Sequence, residues 1–231
     1  MSVEDVSAIG AAANSASVEG AGGVRYSFVL HYLLAAQAAY LNLRRLEQEH
    51  FNDDLGSFFD DIALNALTGV VSVAAGLESY INEIFADRAI RFPNVPPGLM
   101  EELWKAYERN TVLQKYASAY QLATNTPLDL GKSPVQDVAA LITLRNALVH
   151  FTPEWSYERD IHDRVSSVLR YKIQPNRWFK HQAGLFPMAW ASADCAWWAL
   201  TKAVYFIREF EAATGFPDKL GETGSRLLQA T

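Results

Sequence analysis

The chain has 231 residues, 50% of them apolar and 12% aromatic, with a formal net charge of −6. This composition supports a substantial core and excludes intrinsic disorder, and the length suits one large domain or a domain with an added arm. The acidic balance provides no global field for nucleic acid or an anionic membrane, so any such contact must come from a local basic patch.

Residues 1–23, rich in Ala, Ser and Gly, read as a flexible tail ahead of a single domain over 24–231. They lack the basic start and apolar centre of a signal peptide. No uninterrupted run of about 18 apolar residues follows, so no membrane-spanning helix is expected. The single cysteine, Cys195, forms no intrachain disulfide and fits a reducing, cytoplasmic setting. Its tryptophan-rich surroundings mark it as a packing residue rather than a nucleophile.

Helical periodicity begins near residue 24 and runs to about 49, with Phe28, Tyr32, Ala35 and Ala39 on one stripe. Residues 50–56, with Asn52, Asp53, Asp54 and Gly56, form a turn. The longest helical signal spans about 58–91, where Leu67, Val70, Ala74, Leu77, Ile81 and Ile84 mark one face, and Pro93, Pro96 and Pro97 end it. One or two shorter helices fill 98–122, and a loop covers 125–133. Ser133 and Pro134 make a cap and first-turn pair for a helix over 134–151, with Asp137 in the first turn. That helix is apolar on most sides and is expected to be largely buried. Further helices are predicted over 156–174 and 187–213, followed by a short one near Leu227. Strand alternation is absent, so the fold class is all-α: an antiparallel helical bundle with an extra long N-terminal helix and a closing C-terminal helix.

The pattern lacks a phosphate-binding glycine loop, a His-Glu-x-x-His helix and a nucleophile elbow. Its five histidines show no ligand spacing, and the acidic pairs Asp53-Asp54 and Asp60-Asp61 read as a solvated helix start. No metal site and no cofactor are expected. Chemistry concentrates in Leu144-Arg-Asn-Ala-Leu-Val-His-Phe151. Asn146 and His150, four apart, share a helix face, and the long Arg145 side chain can reach the same imidazole. Pro153 leaves His150 near an open helix end. The set suits RNA cleavage without a metal. His150 takes or returns a proton at the ribose 2′-OH, Arg145 neutralises phosphoryl charge, and Asn146 positions. The competing reading is a satisfied internal network with Glu78 and Asn82 as partners.

Arg145 and His150 in this spacing resemble the R-x4-6-H motif of the HEPN superfamily. Ser72-Val-Ala-Ala-Gly-Leu-Glu-Ser-Tyr-Ile-Asn-Glu83 resembles its earlier core helix, and Cys195-Ala-Trp-Trp-Ala-Leu200 with Phe206 to Phe210 its closing helix, so the likeness covers about 57–214. The resemblance implies a four- to five-helix bundle and often a homodimer with two motifs in one composite site. It also implies a metal-independent endoribonuclease of toxin–antitoxin or defence systems, with an antitoxin or other defence protein as partner. By matching position, Arg145, Asn146 and His150 would form the active site, with Glu78 as a further candidate. A toxin subgroup carries a Tyr two residues after the His; here that residue is Thr152, so its regulation is not carried over. Other members are non-catalytic, so a nucleotide- or RNA-binding or interaction module is the alternative. A basic stretch of Arg164, Arg170, Lys172, Arg177 and Lys180, interleaved with Tyr171, Trp178 and Phe179, is a candidate RNA contact. A solvated helix face with core aromatics is the other reading of that stretch.

Overall fold

The computed structural model describes residues 17–19, 23–155 and 157–229. Among them, nine helices make an all-α bundle: α1 (Val29–Glu49), α2 (Phe58–Ala86), α3 (Arg88–Arg91), α4 (Pro97–Tyr107), α5 (Val112–Thr124), α6 (Val135–Val149), α7 (Asp160–Leu169), α8 (Ala193–Thr214) and α9 (Gly221–Leu227). Two three-residue strands, β1 (Ser17–Glu19) and β2 (Gly23–Arg25), pair antiparallel with Val18 opposite Val24. Segments this short carry no period-two pattern, and α1 accordingly starts later than the helix expected from residue 24. Most of the tail expected over 1–23 lies outside the described residues.

Contacts group the chain into two compact units, one of residues 1–33, 75–128 and 207–229, the other of 34–74, 129–206 and 230–231. In the first unit, Tyr80 and Tyr116 stack with ring centroids 6.1 Å apart, and Phe210 meets Tyr116 edge-on at 5.0 Å. The Tyr116 hydroxyl donates to the Leu77 carbonyl at 2.9 Å, so this core tyrosine is satisfied. Gly76 lets Leu33 close in: a Cβ there would stand 3.3 Å from the Leu33 Cδ2. The helix expected over 58–91 breaks at Asp87 into α2 and α3. α5 opens with a Thr111–Gln114 capping box and closes on Asn125 in the left-handed region.

In the second unit, Ile62, Val70, Leu141, Leu144, Ala199 and Leu200 are buried together with Cys195. Tyr40 stacks on Trp197 at 4.8 Å. Burial pushes the Cys195 thiol far above its ordinary value, which suits a packing role. The helix expected from 187 begins at Ala193 instead. The buried Asn176 is the reason. Its amide donates to the carbonyls of Met188 and Ala191, its backbone N–H donates to Ala189, and its side-chain oxygen accepts from the N–H groups of Trp178 and Phe179. Those bonds hold 176–191 in irregular backbone. Ser192 then caps α8, accepting from the Cys195 N–H at 3.1 Å, and Glu47 accepts from the Ala193 N–H at 2.7 Å.

α2 has an 18-residue window of mean hydropathy 1.4, long and apolar enough by length and composition to cross a membrane. A search for uninterrupted apolar runs passes over it because Asn65, Thr68 and Ser72 interrupt the sequence. Core helices pass the same test, and Ile62, Ala66, Val70, Val73, Leu77 and Ile81 of α2 are buried.

Candidate functional site

α6 is anchored at its start. Asp137, in the first turn, is buried, and its carboxylate accepts from Lys172 Nζ at 2.6 Å, Lys202 Nζ at 3.1 Å and the Ser133 hydroxyl at 2.7 Å. Burial opposes the charge, but the Lys172, Ser133 and Lys202 bonds outweigh it and hold the carboxyl below its ordinary range. Ser133 therefore donates to Asp137 and does not cap the helix backbone, correcting the cap expected from the Ser-Pro pair. The middle of α6 buries Val138, Ala140, Leu141 and Leu144. Its far end does not follow the expectation of burial: Val149 and Phe151 are about half exposed, at 49% and 50%.

Two of the three motif residues meet through their side chains near that end, and the third follows at the helix terminus. The Arg145 guanidinium donates to the Asn146 side-chain oxygen at 3.0 Å. Asn146 is exposed and Arg145 half-buried. His150 is the C-terminal cap residue, its backbone N–H on the Asn146 carbonyl at 2.9 Å and its side chain exposed. Neither Arg145 nor His150 enters an ion pair among the described residues. The internal-network reading predicted the opposite: buried, mutually satisfied groups. Of its proposed members, Asn82 accepts from the Lys115 ammonium at 2.9 Å, and Glu78 is half-buried.

The chain beyond His150 is held by side chains that sequence reasoning missed. Phe151 stacks on the buried His162 with centroids 5.7 Å apart and lies 6.0 Å from Phe186. A His162 ring nitrogen meets the Thr152 carbonyl at 3.1 Å. The Glu154 carboxylate accepts the Ile161 and His162 backbone N–H groups at 2.9 and 2.8 Å, satisfying two of the free donors of α7. Desolvation opposes the Glu154 charge, but these two N–H groups prevail and keep its carboxyl below the usual range. α7 consequently starts at Asp160 and not near 156. Trp155 and Tyr157, exposed by 70% and 75%, stand with near-parallel rings 6.2 Å apart.

The five cations of the basic stretch do not form one stripe. Lys172 is withdrawn into the Asp137 pair. Arg177 lies over the Phe51 ring at 4.4 Å, with Nη1 buried and without a partner among the described residues. Trp178 donates its indole N–H to the Asp53 carbonyl and packs on Phe58, so it is structural. Arg164 is exposed on α7. Arg170 and Lys180 line a common cleft with Tyr171. His50 pairs with Asp53 at 2.8 Å, and Asp60 and Asp61 are exposed in the first turn of α2, matching a solvated helix start. Among the described residues no three His, Cys, Asp or Glu side chains gather as a metal site requires.

No family model matches the chain, and neither a curated protein nor a solved structure matches it.

Proposed function

We propose that the chain is a cytoplasmic, HEPN-type endoribonuclease acting without a metal, with Arg145, Asn146 and His150 as its reacting face. The observation that carries this reading is that Asn146 and His150 are exposed, and Arg145 half-buried, toward the open end of a helix whose start is fixed by buried charge. His150 takes the proton of a ribose 2′-OH as that oxygen attacks the adjacent phosphorus. The P–O5′ bond breaks and the departing oxygen takes a proton from water, leaving a 2′,3′-cyclic phosphate and a 5′-hydroxyl. Arg145 bears on the phosphoryl oxygens as charge builds there, and Asn146, which holds the guanidinium at 3.0 Å, fixes its direction. The resemblance further implies that two copies join their motifs into one site, and that an antitoxin or defence protein masks it.

The test is cleavage of single-stranded RNA by the purified chain in EDTA, with the product ends identified. Arg145→Ala and His150→Ala should each lower the rate by roughly 10²–10⁴-fold, the usual worth of a positioned acid–base or charge-stabilising group. Both residues lie at an exposed end, so helix content by circular dichroism should stay at the wild-type value. Undiminished cleavage in both variants ends the assignment. A folded wild-type chain that binds RNA without cutting it turns the reading to a non-catalytic RNA-binding module.

A further inference from the structure

The last turn of α7 and the irregular segment after it enclose a cleft of about 300 Å³. Arg170 and Lys180 line it, together with Gln174 and Gln182, and no acidic side chain does. Neither cation forms an ion pair among the described residues, whereas Lys172 beside them is committed to Asp137. Two cations without an ion pair in one concavity, with Asp137 committed to Lys172 and Asp194 engaged by the Gln174 backbone N–H at 2.8 Å, make a site for an anion.

Tyr171 at the same cleft is unusual. It sits at φ 65°, in the left-handed region, and its residue is 94% exposed. For a bulky non-glycine residue that backbone is strained, and a side chain so exposed has no burial to offset it. The reversal has a geometric result: Arg170 and Tyr171 line the cleft while Lys172, one step further, pairs with buried Asp137. Gly184, a further lining residue at φ 90°, approaches α7 so closely that a Cβ would lie 2.8 Å from the Ser166 hydroxyl. Ser166 itself is spoken for, donating to the His162 carbonyl and accepting from the Phe186 N–H.

We propose that this cleft is a nucleotide site that holds one phosphate between Arg170 and Lys180 and stacks the attached base on Tyr171. The end of α7 presents carbonyls rather than N–H groups, so the phosphate depends on the two side-chain cations and not on a helix dipole. Tyr171 offers a face to any base, which suits a site that guides single-stranded RNA without reading its sequence. Gln174 and Gln182 supply amides for a base edge or ribose. The cleft is joined to the motif through one wall: Phe151, next to His150, packs on Phe186, and Phe186 follows the lining residue Leu185. From the proposed function this inference takes only that the polymer is RNA.

Isothermal titration at low ionic strength with adenosine 5′-monophosphate, inorganic phosphate and adenosine separates the contributions. The monophosphate should bind most tightly, phosphate more weakly, and adenosine at least about tenfold more weakly than the monophosphate. Arg170→Ala/Lys180→Ala should weaken the monophosphate by about tenfold or more, whereas Arg164→Ala, removing a charge outside the cleft, should change it less than about threefold. Tyr171→Ala should weaken the monophosphate about fivefold or more and leave phosphate binding unchanged. Equal binding by wild type and the double variant, no binding of monophosphate or phosphate at millimolar concentration, or adenosine binding as tightly as its monophosphate overturns the site. Loss of the cleft with cleavage intact would then sink this inference alone, and absent cleavage with intact nucleotide binding would sink the ribonuclease reading alone.

Discussion

Replacing Asp137 by Asn tests whether the motif helix is anchored by charge. The carboxylate is buried and holds Lys172 at 2.6 Å and Lys202 at 3.1 Å. Removing one member of a buried ion pair costs roughly 3–5 kcal/mol, because a buried charge is left unpaired. Here the lysine side chains remain 23% and 35% exposed and regain some hydration. The expected loss is therefore about 2–3 kcal/mol, scaled down for that exposure. For a chain of this size that corresponds to a fall in Tm of about 4–12 °C. The pH dependence has a definite sign. The folded carboxyl lies below its ordinary value, so its contribution is complete above the unfolded value near ~3.9 and is lost as pH falls through the folded one. Urea unfolding should show a full gap between wild type and Asp137→Asn at pH 7, narrowing as the buffer is taken below about pH 4. Lys172→Ala should destabilise the wild type but cost much less in the Asp137→Asn background, since the two share one interaction. Equal stabilities at pH 7, a gap that widens on acidification, or additive effects of the two substitutions would each refute the anchoring role.

Glu154→Gln should lower the urea midpoint at neutral pH by less than Asp137→Asn does, because the neutral amide oxygen still accepts from one of the two α7 N–H groups. Its folded carboxyl is also held low, so this difference should likewise vanish in acid; a midpoint equal to wild type at pH 7 would remove Glu154 as the cap. Gly184→Ala should cost on the order of 1–3 kcal/mol, from a positive φ and from a Cβ placed 2.8 Å from Ser166 Oγ. Chemical denaturation reads that loss, and an unchanged midpoint would mean the segment around 184 yields freely.

Some of this was legible in the sequence because it is local. The three-to-four spacing of Val138, Leu141 and Leu144 fixes a helix and its buried face, and Asn146 and His150 four apart must share another face. Pro153 places the end of α6 close to His150, where the helix stops at Val149. What stayed hidden depends on partners distant in the chain. Lys172 looks like one more cation of a basic stretch until the fold brings Asp137, thirty-five positions away, within 2.6 Å of it. Asn176 and Glu154 look like loop residues, yet their bonds to backbone groups 7–15 positions along set where α7 and α8 begin. A left-handed tyrosine carries no propensity signal at all, because its conformation is imposed by its surroundings.

The two ends of α6 explain why the chemistry is expected at one of them. A reacting group must hold its position to within a fraction of an ångström, yet it must also reach a solvated substrate. Buried charge at Asp137 and the Leu141–Leu144 face satisfy the first demand without using any group near the reacting end. The second is met because, among the described residues, the side chains of Arg145 and Asn146 bond to each other alone, and because His150 ends the helix with its side chain exposed. A helix serving only the core would bury both end turns and pair the charges in them. α6 does this at its first turn, where Asp137 is buried and paired, and not toward its last, and that asymmetry is what favours a working face over a structural one.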